Sequence, residues 1–150
     1  MEIDGEKLPQ SISIARYLAR EFKLIGDNNI EQAKADAVVD TALDLLNAYF
    51  SKGLYKTDRN DEAWTLFRND DVKKHFANIE KLIGLYGSNG YSSSNQLLWS
   101  DIFIMDVVQQ ITKGDLSSLE GFPNLKKVVA IVEGHPNISA YLAKRKESQF

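Results

Sequence analysis

The 150-residue sequence contains no cysteine, three prolines and two histidines. Without cysteine there is no disulfide framework, no thiolate metal site and no cysteine nucleophile, a usage that suits a reducing compartment such as the cytoplasm. An excess of one charge is also missing: 18 Lys and Arg face 21 Asp and Glu, for a formal net charge of −3. Affinity for a phosphate backbone rests on several cations meeting several phosphates, so nucleic acid is not an expected partner. Nowhere do about 18 apolar residues run together, and MEIDGEKLPQ has no cationic segment leading into an apolar one. No membrane span and no signal peptide are expected. The G-x-S-x-G elbow, the P-loop and the dinucleotide fingerprint are absent as well. His75 and His135 lie far apart and make no metal-ligand spacing with Asp or Glu, which reads as surface or loop positions.

What is present is an ordinary globular composition, 43% hydrophobic and 26% charged, at the length of one domain. EIDGEKL reads as a β-hairpin turned at Asp4-Gly5. Helical spacing of apolar residues starts at Gln10, with Gly26 as a stop signal. A second helix is predicted over Asn29–Phe50 on a stripe of Ile30, Ala33, Ala37, Thr41, Leu45 and Ala48, widened by Val38, Ala42, Leu46 and Tyr49. A third is predicted over Asp61–Tyr86, after the polar connection SKGLYKTDRN, and forms an antiparallel pair with the second. GSNGYSSSNQ is a long loop. LLWSDIFIMDVVQQI, apolar nearly all round, marks a helix inside the bundle, and two closing helices each carry Pro in the first turn.

Two features carry candidate chemistry. In LPQS, a proline turn followed by a serine that opens a helix gathers free N–H groups, a hydroxyl and the positive end of the helix dipole, as an anion site such as one for a carboxylate would need. The plainer reading is that Ser11 caps the helix and Pro9 shapes the turn. Asp36, Asp40 and Asp44 stack on one helix face, mildly unfavourable unless they meet water or a cation. Either a solvated face or an acid that meets an ammonium group or a metal, across a subunit boundary, fits that row. Asp101 is placed to accept from N–H groups at the start of the buried helix, a structural role.

EIDGEKLPQSISIARYLAREFKLIGDNNIEQAKADAVVDT resembles the middle of cytosolic glutathione transferases, most of all the sigma class of haematopoietic prostaglandin D synthase and the S-crystallins. LLWSDIFIMD and FPNLKKVVAIVEGHPNISAYLAKR resemble the buried helix and the ending of that family. The resemblance implies a mostly α fold: the last β-hairpin and helix of a thioredoxin-like domain over residues 1–26, then the family's C-terminal helical bundle over 27–150. It implies that Pro9, as a cis-proline, with Gln10 and Ser11 holds the γ-glutamyl end of glutathione, and that Asp44 reaches the ligand's amino group across a homodimer. A small hydrophobic electrophile is the implied second substrate, in conjugation or glutathione-dependent isomerisation. Asp40 and Asp44 match an interface metal cluster of some members, but Leu43 replaces another acid of it, so no metal is expected.

Two departures from the family matter. Leu98 stands where the family has a Ser or Thr cap, a loss of about 0.5–2 kcal/mol. The tyrosine that stabilises the glutathione thiolate belongs to the family's first strand, which the resemblance places before residue 1, so no catalytic residue is assigned. Tyr49 and Tyr55 are weak substitutes. Little or no transferase activity is therefore expected of residues 1–150, the hairpin is expected to expose a strand edge, and a non-catalytic crystallin-like or interaction protein is the alternative.

Overall fold

A computed structural model describes residues 1–58 and 61–146. Arg59 and Asn60, at the end of the predicted connection, and the last four residues of the predicted helical domain lie outside the described residues. β1 (Glu2–Ile3) and β2 (Glu6–Lys7) pair antiparallel, Glu2 opposite Lys7 and Ile3 opposite Glu6. Asp4 and Gly5 take φ of 50° and 86°, the left-handed pair that a two-residue turn needs to match the twist of its strands. The bond into Pro9 is trans, so the expected cis-proline is overturned. The chain is redirected one residue later, by Gln10 at φ 70° and ψ 116°.

α1 (Ser11–Glu21) ends before Gly26. Its stop is a Schellman turn in which Lys23, at φ 56°, occupies the left-handed position usually given to glycine. Leu24 N–H donates to Ala19 C=O at 2.7 Å and Lys23 N–H to Arg20 C=O at 3.2 Å. Gly26 serves a different need: at φ 104°, a Cβ there would lie 2.8 Å from that of Glu31, so glycine lets the chain pass against the next helix.

α2 (Asn29–Ser51) is capped by Asn28, whose side chain accepts from Ile30 and Glu31 N–H. Its buried face is Ala35, Val38, Val39, Ala42, Leu45, Leu46 and Tyr49, so the predicted widening set is buried together with Leu45 of the stripe, while Ile30 at the head of the stripe is 66% exposed. The larger side chains of the second set carry more apolar area than the Ala and Thr of the first, and they decide which face turns inward.

The third predicted helix is three joined pieces, α3 (Glu62–Phe67), a π-helical turn (Arg68–Val72) and α4 (Lys73–Tyr86). Phe67 and Val72 are five apart, about 140° around a regular α-helix. The wider π turn absorbs that offset and lets both be buried, at 1% and 2% exposure. α5 (Trp99–Thr112) runs through the bundle with Ile104, Val107, Val108 and Ile111 buried, and packs on α2 and on α6 (Pro123–Gly134). α7 (Pro136–Leu142) closes the described bundle. The main core joins α2 through α6, and a second cluster gathers Ala19, Ile25, Ala35, Val39, Leu98 and Trp99 where α1 meets α2 and α5. No helix among the described residues is long and apolar enough to cross a membrane.

One contact across the bundle stands in for a local cap. Glu80 on α4 accepts from Asn124 N–H at 3.1 Å and Leu125 N–H at 2.8 Å, at the start of α6. Glu80→Ala is expected to lower unfolding free energy by about 1–2 kcal/mol, since it removes both a cap and a charge favoured by the helix dipole. Urea denaturation checks this; an unchanged midpoint would show that water caps α6 as well as Glu80 does.

Candidate functional site

The start of α1 gathers the residues singled out in LPQS. Pro9, Gln10 and Ser11 are all exposed. Gln10, not Ser11, occupies the cap position, and no side chain caps the helix. The plain capping role for Ser11 therefore falls away, and among the described residues its hydroxyl makes no hydrogen bond. Gln10 is a non-glycine residue in a sparsely populated conformation, which costs of order 1–3 kcal/mol. Such strain persists where surrounding structure holds it, and here it stands directly before the exposed Ser11 at the first turn of α1.

The aspartate row divides. Arg16 on α1 donates from Nε to Asp36 Oδ1 at 3.0 Å, and its Nη2 lies 3.9 Å from Asp40 Oδ1. Its guanidinium carbon also sits 5.3 Å from the centre of the Trp99 ring, in cation–π range. The cation asked for by the row thus comes from the same chain for two of the three acids. Asp44, exposed one turn further along α2, makes no ion pair or hydrogen bond among the described residues. No group of three or more His, Cys, Asp or Glu gathers as a metal site among them. His75 lies half-buried on α4, while His135, also half-buried, stands at the bend between α6 and α7, so the loop reading holds for His135 alone.

Beside α1 lies a groove of about 540 Å³ between α1, α5 and α7. Its walls are chiefly apolar, from Leu18 and Phe22, from Trp99 and Phe103, and from Ile138 and Tyr141, with Asp106 and Arg145 also on the lining. Phe22 and Tyr141 are 69% and 62% exposed, a large apolar area for water to cover. The volume is that of a site for a small organic molecule.

The floor of this region is set by α5. Leu98 cannot cap, but it is fully buried in the second cluster, worth about 1.5–3 kcal/mol and enough to offset the missing cap. Asp101 accepts from Leu98 N–H at 2.7 Å and from Ser92 N–H at 2.6 Å, with Ser92 and Ser93 hydroxyls each 2.9 Å from that of Ser100. Trp99 N–H donates to Leu24 C=O at 2.8 Å, which ties the end of α1 to the head of α5. Burial pushes the Asp101 carboxyl up from its ordinary value, while the bonds from Leu98 and Ser92 oppose that rise.

This order of hairpin, α1 and buried α5 has a counterpart in known proteins. A family model described as the C-terminal domain of glutathione S-transferase matches residues 44–145. The chain belongs to the glutathione S-transferase family. It is 36% identical to the probable glutathione S-transferase 6 of Caenorhabditis elegans, with 100% of this chain and 74% of that protein covered. It is 31% identical to S-crystallin SL11 of Nototodarus sloanii, over 100% of this chain and 74% of the other. The structure of prostaglandin synthase D of Nilaparvata lugens superposes with a TM-score of 0.80 at 27% identity, over 98% of this chain and 73% of that one.

The mostly α fold expected of a glutathione S-transferase helical domain preceded by a hairpin and helix is therefore the one found. Pro9, Gln10 and Ser11 adjoin at one helix start, and Asp44 stands on a different helix. The sequence reading missed Arg16, which is one polar residue of an amphipathic helix until α2 is folded against it. It also missed the burial of Ser92 and Ser93; their only signal was a carboxylate, Asp101, at the third position of a buried helix.

Proposed function

We propose that this glutathione S-transferase-like chain binds glutathione through Pro9, Gln10 and Ser11, with the γ-glutamyl carboxylate on the exposed start of α1. The observation that carries this reading is the strained Gln10 with an uncommitted Ser11 hydroxyl beside it, in a chain of this family. The helix dipole, the first N–H groups and the hydroxyl all favour a carboxylate there. The S-crystallin and prostaglandin synthase relatives support a sigma-like assignment. On it, the chain forms a homodimer in the cytoplasm, Asp44 reaches the ligand's ammonium in the neighbouring subunit, and the apolar groove receives a small hydrophobic electrophile. Residues 1–26 are then a part of the thioredoxin-like unit, and 27–150 the helical one.

Calorimetric titration of glutathione tests the reading. Ser11→Ala is expected to weaken binding about tenfold, the worth of one hydrogen bond to a charged group. Failure of the unaltered chain to bind glutathione, or an unchanged affinity in Ser11→Ala, would sink it. The second reading, a non-catalytic crystallin-like or interaction protein, is favoured by one observation: Tyr49, a candidate to activate sulfur, is buried among Phe50, Trp64 and Phe67. It predicts no retention on immobilised glutathione and no effect of Asp44→Ala.

A further inference from the structure

α1 has 11 residues, and Ala19 alone among them is fully buried. Helices of about this length are marginal on their own, so their orientation depends on what docks them. Ile12 and Ala15 add half-buried apolar contacts to the second cluster, and these are non-directional. Arg16 supplies the directional part. Its bond to Asp36 and its approach to Asp40 fix α1 against the side of α2, and its stack on Trp99 fixes it against the head of α5. The planar guanidinium suits this task, with an in-plane fork for carboxylates and a face for the indole. Ser11 lies five positions earlier, about 7.5 Å along the helix, so any rotation of α1 that Arg16 prevents would swing Ser11 and Gln10.

The same contacts sort the acids. With Asp36 and Asp40 facing Arg16, Asp44 is the member of the row left for another cation. On the reading that Gln10 and Ser11 hold glutathione, we propose that Arg16 is the positioning residue of that site. It orients the turn, and with it the Ser11 hydroxyl, that grips the γ-glutamyl carboxylate.

A double-mutant cycle read by glutathione titration tests this. Arg16→Gln and Ser11→Ala are each expected to weaken glutathione about tenfold, and the double variant also about tenfold, since Arg16 acts through Ser11. Arg16→Lys, which keeps the charge without the fork, is expected to recover part of the loss. Additive losses, about a hundredfold in the double variant, would mean that Arg16 acts elsewhere and would overturn the proposal. So would an unchanged affinity in Arg16→Gln beside a loss in Ser11→Ala, an outcome that leaves the glutathione reading standing. If Ser11→Ala has no effect, or the unaltered chain does not bind, the glutathione reading falls and takes this one with it. Should Arg16→Gln fail to fold, Asp36→Asn removes the main partner of Arg16 without altering α1. It must then show the same coupling to Ser11→Ala.

Discussion

Asp101→Ala is expected to lower the unfolding free energy by about 2–6 kcal/mol, which is about 1–3 kcal/mol for each of two buried N–H groups left without an acceptor. A domain of this size is stable by only about 5–15 kcal/mol. Loss of the bonds from Ser92 and Leu98 would free both the loop before α5 and the first turn of α5. Trp99 and its tie to Leu24 sit on that turn, so α1 would loosen with it. Asp101→Asn keeps one acceptor oxygen but turns an NH2 toward the other donor, and about half the loss is expected. The pH dependence separates charge from shape. Burial raises the Asp101 pKa above 3.8, so between that value and the raised one the folded chain holds more protons than the unfolded chain. The stability contributed by this group is then fully present below 3.8 and is lost as pH rises through the folded value. Chemical denaturation of the parent and Asp101→Asn across that window should show a downward slope with rising pH in the difference between them. A flat difference would mean that the carboxyl titrates as it does in the unfolded chain.

The parts of this fold legible in the sequence are those where one physical signal acts alone. Asp4-Gly5 turns the hairpin because left-handed φ values fit a two-residue turn, and α5 is internal because it is apolar nearly all round, with Asp106, Gln109 and Gln110 as its half-buried polar edge. Expectation failed where two signals compete. Gly26 looked like the end of α1, but a Schellman turn through Lys23 stops it earlier, because packing the half-buried Leu24 against the cluster of Ala19 offsets the strain of a lysine at positive φ. On α2 two apolar stripes overlap, and the periodicity did not tell that the valines and leucines would outweigh the alanines. The offset between Phe67 and Val72 was visible, yet it reads as a continuous helix until a π turn is allowed. Within the candidate site, the helix opening at Ser11 was legible because it follows from a local motif, but the sequence put the turn at Pro9 and gave no sign of the strain at Gln10. Arg16 was not, because its meaning depends on Asp36 and Trp99, which only tertiary packing brings to it.

The second large effect concerns rate. Purified residues 1–150 are expected to conjugate glutathione to an aryl halide only a few-fold faster than the uncatalysed reaction. A thiol with a pKa of about 8.5 is only about 3% thiolate at pH 7. A donor aimed at sulfur removes that handicap, and such preorganised donors are worth about 10²–10³ in rate. None of the candidate tyrosines is placed to act as one. Tyr49 is enclosed in its ring cluster, and Tyr55 packs on Phe50 with Lys56 over its face. Tyr141 lines the groove beside Phe22, at the far end of α1 from Ser11, with about 16 Å of helix between them. Glutathione held at Ser11 would therefore keep an ordinary thiol. The measurement that discriminates is the pH profile: the rate should climb about tenfold per unit from pH 6 to 8, as a free thiol does. A plateau reached near pH 7, abolished by Ser11→Ala and by Tyr49→Phe or Tyr55→Phe, would show that one of those tyrosines moves to meet the bound sulfur. Ser11→Ala alone should leave the slope unchanged, since a residue that holds the γ-glutamyl end changes how much glutathione is bound and not how readily its sulfur ionises.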